Sequence, residues 1–255
     1  VLSARSSALL LLLGGCDLAF GVGGEPDPCE LASFDGARTT DIIPAYSFSV
    51  DWDQRFAVVR LDNEMSVEVD LPDGTPRPID LGPYNNLSFS LAPEGTSLLY
   101  TSATEPPMLE GALRASPGSW KLDARVPIAT YVGTPSADVF GPRRVLAKMR
   151  PLDETVQELE DENGTWVPVG DAHPLASDLA PNLTPNGLTA VFSRPTLTET
   201  GVVHEIFGMT RASTDEWFGE PVKILANGED AHPQLLGQCQ RLYTVHVGTM
   251  RRYDR

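Results

Sequence analysis

The stretch Asn86-Leu87-Ser88-Phe89-Ser90-Leu91-Ala92-Pro93-Glu94-Gly95-Thr96-Ser97-Leu98-Leu99-Tyr100-Thr101-Ser102 decides the fold. It reads as a β-strand, a Pro-acid-Gly turn and a second β-strand. Proline sets φ at the start of such a turn, and glycine accepts the positive φ that closes the hairpin without splaying its strands. The outline returns at Ala180-Pro181-Asn182-Leu183-Thr184-Pro185-Asn186-Gly187-Leu188-Thr189-Ala190-Val191-Phe192-Ser193-Arg194.

Weaker copies run from Ala45 to Val59 and from His232 to Val245, and the most degenerate lies around Asp138 to Ala147. Anchored on Phe56, Leu98, Leu146, Ala190 and Leu242, the copies are spaced by 42, 48, 44 and 52 residues. A period of that length is one blade of a β-propeller. A second half-repeat follows three of the hairpins. Trp120, Trp166 and the Trp217-Phe218 pair each stand beside a turn that leads into a short outer strand.

Between these units the chain shows short β-rich runs bounded by Pro, Gly, Asn and Asp, and no amphipathic helix longer than about two turns. Its best helical candidate, Asp153 to Glu162, is mostly acidic and reads better as strand and turn. The expected fold is all-β, a propeller of about five four-stranded blades with six possible. A propeller must also close, or its end blades present open edges. The fifth unit has its hairpin and the short strand Met250 to Tyr253, so the segment Leu31 to Ile43 is expected to supply its missing outer strand.

On Thr184-Pro185-Asn186-Gly187, Ala92-Pro93-Glu94-Gly95 and Phe218-Gly219-Glu220-Pro221-Val222, the repeat resembles the WD-repeat-like propeller units of TolB and of many bacterial envelope lipoproteins. The likeness covers about Ile43 to Tyr253. It implies an envelope propeller that binds other proteins.

The N-terminus points to the same compartment. Arg5, the apolar run Ala8 to Leu13 and the small pair Gly14-Gly15 precede Cys16 in the layout of a secretory signal, too short to span a bilayer. Leu13-Gly14-Gly15-Cys16 resembles the lipobox of bacterial lipoproteins, which implies lipid on Cys16 and cleavage before it. The expected organisation is a signal peptide at 1–15, a lipidated flexible linker at 16–28 and a propeller at 29–255. The remaining cysteines, Cys29 and Cys239, are a natural disulfide pair in an oxidising compartment.

Removing residues 1–15 takes one positive charge, Arg5, from a chain of net charge −16 and leaves −17. Such acidity argues against nucleic acid, whose binding relies on clustered Lys and Arg. The sequence contains no Gly-x-Ser-x-Gly, no P-loop, no Cys-x-x-Cys and no His-Glu-x-x-His. Asp171-Ala172-His173-Pro174 recurs as Asp230-Ala231-His232-Pro233, but out of register with the blade repeat, so it reads as coincidence rather than as paired metal ligands. Asp51 and Asp53 read as solvated turn acids, and acids as a whole as a feature of turns and linkers. Tyr46, Trp52 and Arg55 are candidates for a binding rim. The expectation is a monomeric, non-catalytic binding or scaffold module without cofactor or metal, anchored in the membrane by Cys16 and partnered by an envelope protein. The alternative is a propeller-type glycan hydrolase with two carboxylates at the central funnel.

Overall fold

The computed structural model describes residues 29–255 apart from 62–64, 72–73, 75, 82–85, 103–107, 127–130, 133–135, 137–142, 149–154, 164, 176–178, 200, 229 and 237. The signal segment, the linker and Cys16 therefore lie outside the described residues. Those residues form no helix and twenty strands. β1 (Arg38–Pro44) comes first. Blade 1 is β2 (Ser47–Val50), β3 (Phe56–Arg60), β4 (Ser66–Asp70) and β5 (Arg77–Pro78). Blade 2 is β6 (Asn86–Leu91), β7 (Ser97–Ser102), β8 (Met108–Ser116) and β9 (Ser119–Val126), and blade 3 is β10 (Tyr131–Val132), β11 (Arg144–Lys148), β12 (Thr155–Glu162) and β13 (Thr165–Pro174). Blade 4 is β14 (Leu179–Leu183), β15 (Thr189–Thr198), β16 (Gly201–Thr210) and β17 (Val222–Gly228), and blade 5 holds β18 (Asp230–Leu236), β19 (Arg241–His246) and β20 (Thr249–Asp254).

Each blade is an antiparallel sheet in chain order, and β1 completes blade 5 as its outermost strand beside β20. The innermost strands β2, β6, β10, β14 and β18 touch in that order, and β18 returns to β2. The ring thus has five blades, not six. Of the segment from Asp153 to Glu162, the described residues Thr155–Glu162 form the strand β12, as expected.

The hairpin between the first two strands of a blade has a fixed design. Six residues separate the paired positions Val50 and Ala57, Leu91 and Leu98, Leu183 and Ala190, and Leu235 and Leu242. The fourth of the six has positive φ in every case: Gln54, Gly95, Gly187 and Cys239. The residue five places along accepts a backbone bond from the end of the third strand, as Arg55 does from Leu71, Thr96 from Arg114, Arg143 from Asp161, Leu188 from Arg211 and Gln240 from Arg255. This bond recurs in all five blades and sets their true register. Ala57, Leu98, Val145, Ala190 and Leu242 are the equivalent residues, so the anchors Phe56 and Leu146 each sit one place off. Phe56 opens its strand beside another apolar residue, and nothing in the local pattern separates the two. Blade 3 is the degenerate copy because its turn, from Ser136 to Arg144, is three residues longer than the others.

The core lies between blades rather than inside them. Phe48 and Val59 pack with Tyr243 and Met250 between blades 5 and 1, and Phe56 with Phe89 and Leu98 between blades 1 and 2. Leu109 with Val145 and Trp166, Val156 with Phe192 and Met209, and Ile206 with Leu235 and Tyr253 fill the other three interfaces. Both faces of a blade are apolar for this reason. Around the axis the inner strands are stitched by polar side chains. Ser49 accepts from Leu91 N at 2.9 Å, and Asn182 donates to Pro233 O at 2.6 Å. Across the seam, Gln234 accepts from Val50 N and donates to Val50 O, both at 2.8 Å.

Cys29 and Cys239 are bonded, with Cα atoms 5.8 Å apart at a sequence separation of 210. A crosslink over a loop of that length stabilises by about 5 kcal/mol on the chain-entropy model. The Cys239→Ser chain should therefore melt well below the parent under non-reducing conditions. Reductant should bring the parent to the same midpoint, and a midpoint unmoved by either change would show that the bond carries no stability.

Candidate binding surface

The slots between neighbouring blades carry the most distinctive chemistry. In two slots a glutamate from the middle of a third strand reaches across to the arginine near the end of the third strand of the next blade, and the same two positions can be followed through all five blades. The first position holds Glu68, Gly111, Glu158, Gly208 and Arg252, which pair with Val58, Leu99, Leu146, Val191 and Tyr243. The second holds Leu71, Arg114, Asp161, Arg211 and Arg255.

Between blades 1 and 2, buried Glu68 takes two bonds from Arg114, at 2.6 and 3.1 Å, and one from the Trp120 indole at 3.1 Å. Between blades 3 and 4, Glu158 takes two from Arg211 at 2.8 and 3.0 Å. Arg211 also donates to Gly187 O at 2.8 Å and stacks on Phe218, 4.4 Å from the ring centre. Its side chain is completely buried. Of the half-repeat aromatics, Trp120 and Phe218 thus belong to the clasps that join blade to blade.

Between blades 4 and 5 a segment of the chain itself replaces the clasp. Gly208 stands where a glutamate would, and Leu31 lies so close that a Cβ there would be 2.6 Å from its Cδ2. Arg255 stacks on Phe34, 4.0 Å from the ring centre, and donates to Cys239 O. Burial pushes the Arg255 guanidinium below its usual range, and Glu30 opposes that shift. The slot between blades 2 and 3 has neither filling. With Gly111 opposite Asp161 it leaves a cavity of about 240 Å³, lined among others by Glu94, Leu109, Glu110, Leu113, Arg143 and Trp166.

The candidates read from sequence fall in several places. Asp51 is fully buried and is not a solvated turn acid. Its carboxylate accepts from Arg55 N at 2.7 Å, Phe56 N at 2.9 Å and Arg55 Nε at 2.8 Å, which caps the blade 1 turn. Acids are not confined to turns and linkers, because Glu68, Glu110, Glu158 and Asp230 are buried on strands. Tyr46 precedes β2, whereas Trp52 and Arg55 lie in the turn after it, so they occupy opposite ends of the blade and form no common rim. His173 lies on the outermost strand of blade 3, stacked on Trp217 at 3.7 Å, and His232 on the innermost strand of blade 5. The two Asp-Ala-His-Pro copies therefore share no site.

Asp230 is the one carboxylate on the described inner strands, and it accepts from Tyr253 OH at 3.0 and 3.1 Å and from Thr244, with His246 Nδ1 at 3.2 Å. The described residues bring no second inner-strand carboxylate beside it. The partners of Asp230 and the slot clasps escaped the sequence reading because each contact joins residues 14 to 53 positions apart. His232 sits at an irregularity in the pairing of β18 with β19, with φ of 52°. Desolvation pushes its imidazole down to about 4, and nearby His204 adds to the shift.

No family model and no curated protein matches the sequence. Among solved structures, putative TolB from Agrobacterium tumefaciens superposes with a TM-score of 0.50 at 13% identity, over 81% of this chain and 70% of that one. The fold is a TolB-type propeller. TolB from Acinetobacter baumannii gives 0.49 at 12% identity, over 86% of this chain and 55% of its own. The hydrazine synthase of Kuenenia stuttgartiensis gives 0.45 at 11%, over 79% and 61%. At such identities the TolB-type likeness speaks for architecture alone.

Two outcomes are expected. Glu158→Gln leaves the enclosed Arg211 charge without its counter-ion and should lower unfolding free energy by about 3 kcal/mol in denaturant titrations. Glu158→Leu combined with Arg211→Met should recover most of the loss. For His232 the folded pKa lies below the ordinary 6.5, so the unfolded chain takes the proton first as pH falls. Its contribution is complete above about pH 6.5 and is lost progressively towards pH 4. Between pH 6.5 and 5 the melting temperature of the parent should fall more steeply than that of His232→Asn.

Proposed function

We propose that this chain is a lipid-anchored, monomeric propeller that serves as a non-catalytic protein-binding module in the cell envelope. The observation that carries the binding role is the hairpin of β15 and β16. Its strands are ten residues each, against five or six for the second strands of the other blades, so its tip extends beyond the ring. At that tip Leu197 and Val202 face each other across the hairpin, 82% and 60% exposed. Large aliphatic side chains held out on a rigid ribbon are what a partner surface buries.

The envelope location is supported by the lipobox-like Leu13-Gly14-Gly15-Cys16 and by the Cys29–Cys239 bond, which persists in oxidising compartments. Propellers host many functions, so the tip and the N-terminus bear the reading and the fold alone does not.

Intact mass of the protein from membranes should show a chain that begins at Cys16 with added diacylglyceryl mass, and Cys16→Ser should move it to the soluble fraction. In-cell crosslinking of the lipidated chain should give one discrete adduct that Leu197→Asp abolishes without a change in melting temperature. An unprocessed soluble chain would overturn the anchor, and hydrolysis of glycans by the purified propeller would overturn the binding role.

A further inference from the structure

We infer that the slot between blades 2 and 3 is a docking groove for an extended segment of a partner protein, one that carries an aliphatic side chain beside a lysine or arginine. This rests on the reading of the chain as a binding module and adds the site and the chemistry of its ligand.

The template is internal. The equivalent slot between blades 4 and 5 holds an extended segment, Cys29 to Phe34, with Leu31 seated on Gly208 and Phe34 under Arg255. Gly111 occupies the position of Gly208 by strand pairing, and the space above it is open. Its volume of about 240 Å³ is far more than the ~30 Å³ share of a water molecule and has room for an aliphatic side chain with some backbone. Leu99, Leu109 and the buried Trp166 give it apolar walls. One polar atom in the wall is also unspent. Arg143 donates to Ser97 Oγ at 3.3 Å and lies 3.8 Å from Asp161, while its Nε is buried without a hydrogen-bond partner among the described residues.

Charge selects the occupant. The filled slot offers Arg255 and takes the acidic-aliphatic pair Glu30-Leu31. In the open slot the equivalent residue is Asp161, joined at the mouth by Glu94, with Arg143 as the cation among them, while Glu110 turns its carboxylate to Tyr100 on the other face of the blade. An aliphatic residue flanked by a cation therefore fits where Glu30-Leu31 would be repelled. The chain's own 17–28 segment has Asp17, Glu25 and Asp27 and no basic residue, and a second copy brings the same net charge of −16. Both are disfavoured by the same field.

The test uses a fluorescein-labelled hexapeptide, Ser-Lys-Leu-Ala-Ser-Phe, which copies residues 29–34 with Ser for Cys29 and Lys for Glu30. It is titrated by anisotropy into the full chain beside the Ser-Glu-Leu-Ala-Ser-Phe control. The lysine peptide should bind saturably and more tightly than the control, and its quenching of indole fluorescence should disappear in Trp166→Phe. Gly111→Leu fills the cavity and should weaken binding by about tenfold or more, the worth of one buried aliphatic group. Because that change could disturb β8, Glu94→Lys on the exposed turn provides a second variant, which should weaken the lysine peptide and strengthen the control. Absence of saturable binding, equal binding of the two peptides, or binding unaltered in both variants would overturn the proposal. The hairpin-tip crosslink, which does not involve this slot, decides the broader reading separately.

Discussion

A ring of sheets is free of exposed edges only when its two ends are joined, and here they meet inside one sheet. β1, from the start of the described chain, pairs along β20 at its end from Arg38 opposite Asp254 to Pro44 opposite Thr249. Within that pairing Arg251 donates to Asp41 at 2.5 Å and holds its carboxyl below the usual range. The outer strand of blade 5 therefore joins residues some 210 positions apart in the chain. Long-range closure of this kind carries a loop entropy that contacts must then outweigh. The seam is fastened by Gln234, which bridges backbone groups at the axis, and by the disulfide at the turn.

The five slots show how one geometric problem accepts different chemistries. Where the middle of one blade's third strand faces the end of the next blade's, there is space between the sheets, and four of the interfaces show how it is filled or left open. Two interfaces use a bidentate Glu–Arg pair, whose desolvation is repaid only because geometry and extra donors satisfy both charges. One uses a leucine from the chain's own N-terminal segment in the space a glycine leaves. The interface at Gly111 has the glycine without the segment, and the open volume follows from that substitution. A clasp of matched residues also discriminates, since Glu68 finds Arg114 and Glu158 finds Arg211 only when adjacent blades pack in chain order.

The sequence announced the blades whose turns use special residues. Pro93-Glu94-Gly95 and Pro185-Asn186-Gly187 carry the φ requirements of the hairpin openly, so blades 2 and 4 were legible. In blade 1 the same position is Gln54, which satisfies a left-handed backbone without advertising it, and the longer turn of blade 3 hid that copy further. The closing strand and the cysteine pair were readable because a propeller has to close, and closure brings the two ends of the chain, with Cys29 and Cys239, together. The slots were not readable. Glu68 and Arg114 lie 46 residues apart, and a buried strand glutamate looks in sequence like any solvated one.

The left-handed turn position ties these threads together. Gly95 and Gly187 fill it at no steric cost, whereas a residue with a Cβ there costs about 1 kcal/mol or more. The two blades that accept that cost are the two that flank the seam. Gln54 of blade 1 accepts hydrogen bonds from Arg241 at 2.7 Å and Tyr243 at 2.9 Å in blade 5, and Cys239 of blade 5 holds Cys29. A glycine at either place would relax the turn and remove a bond across the junction. Backbone strain persists where surrounding contacts over-determine it. Here the contacts that do so are those that close the ring, so the unfavourable turns stand where only a side chain can join the last blade to its neighbours.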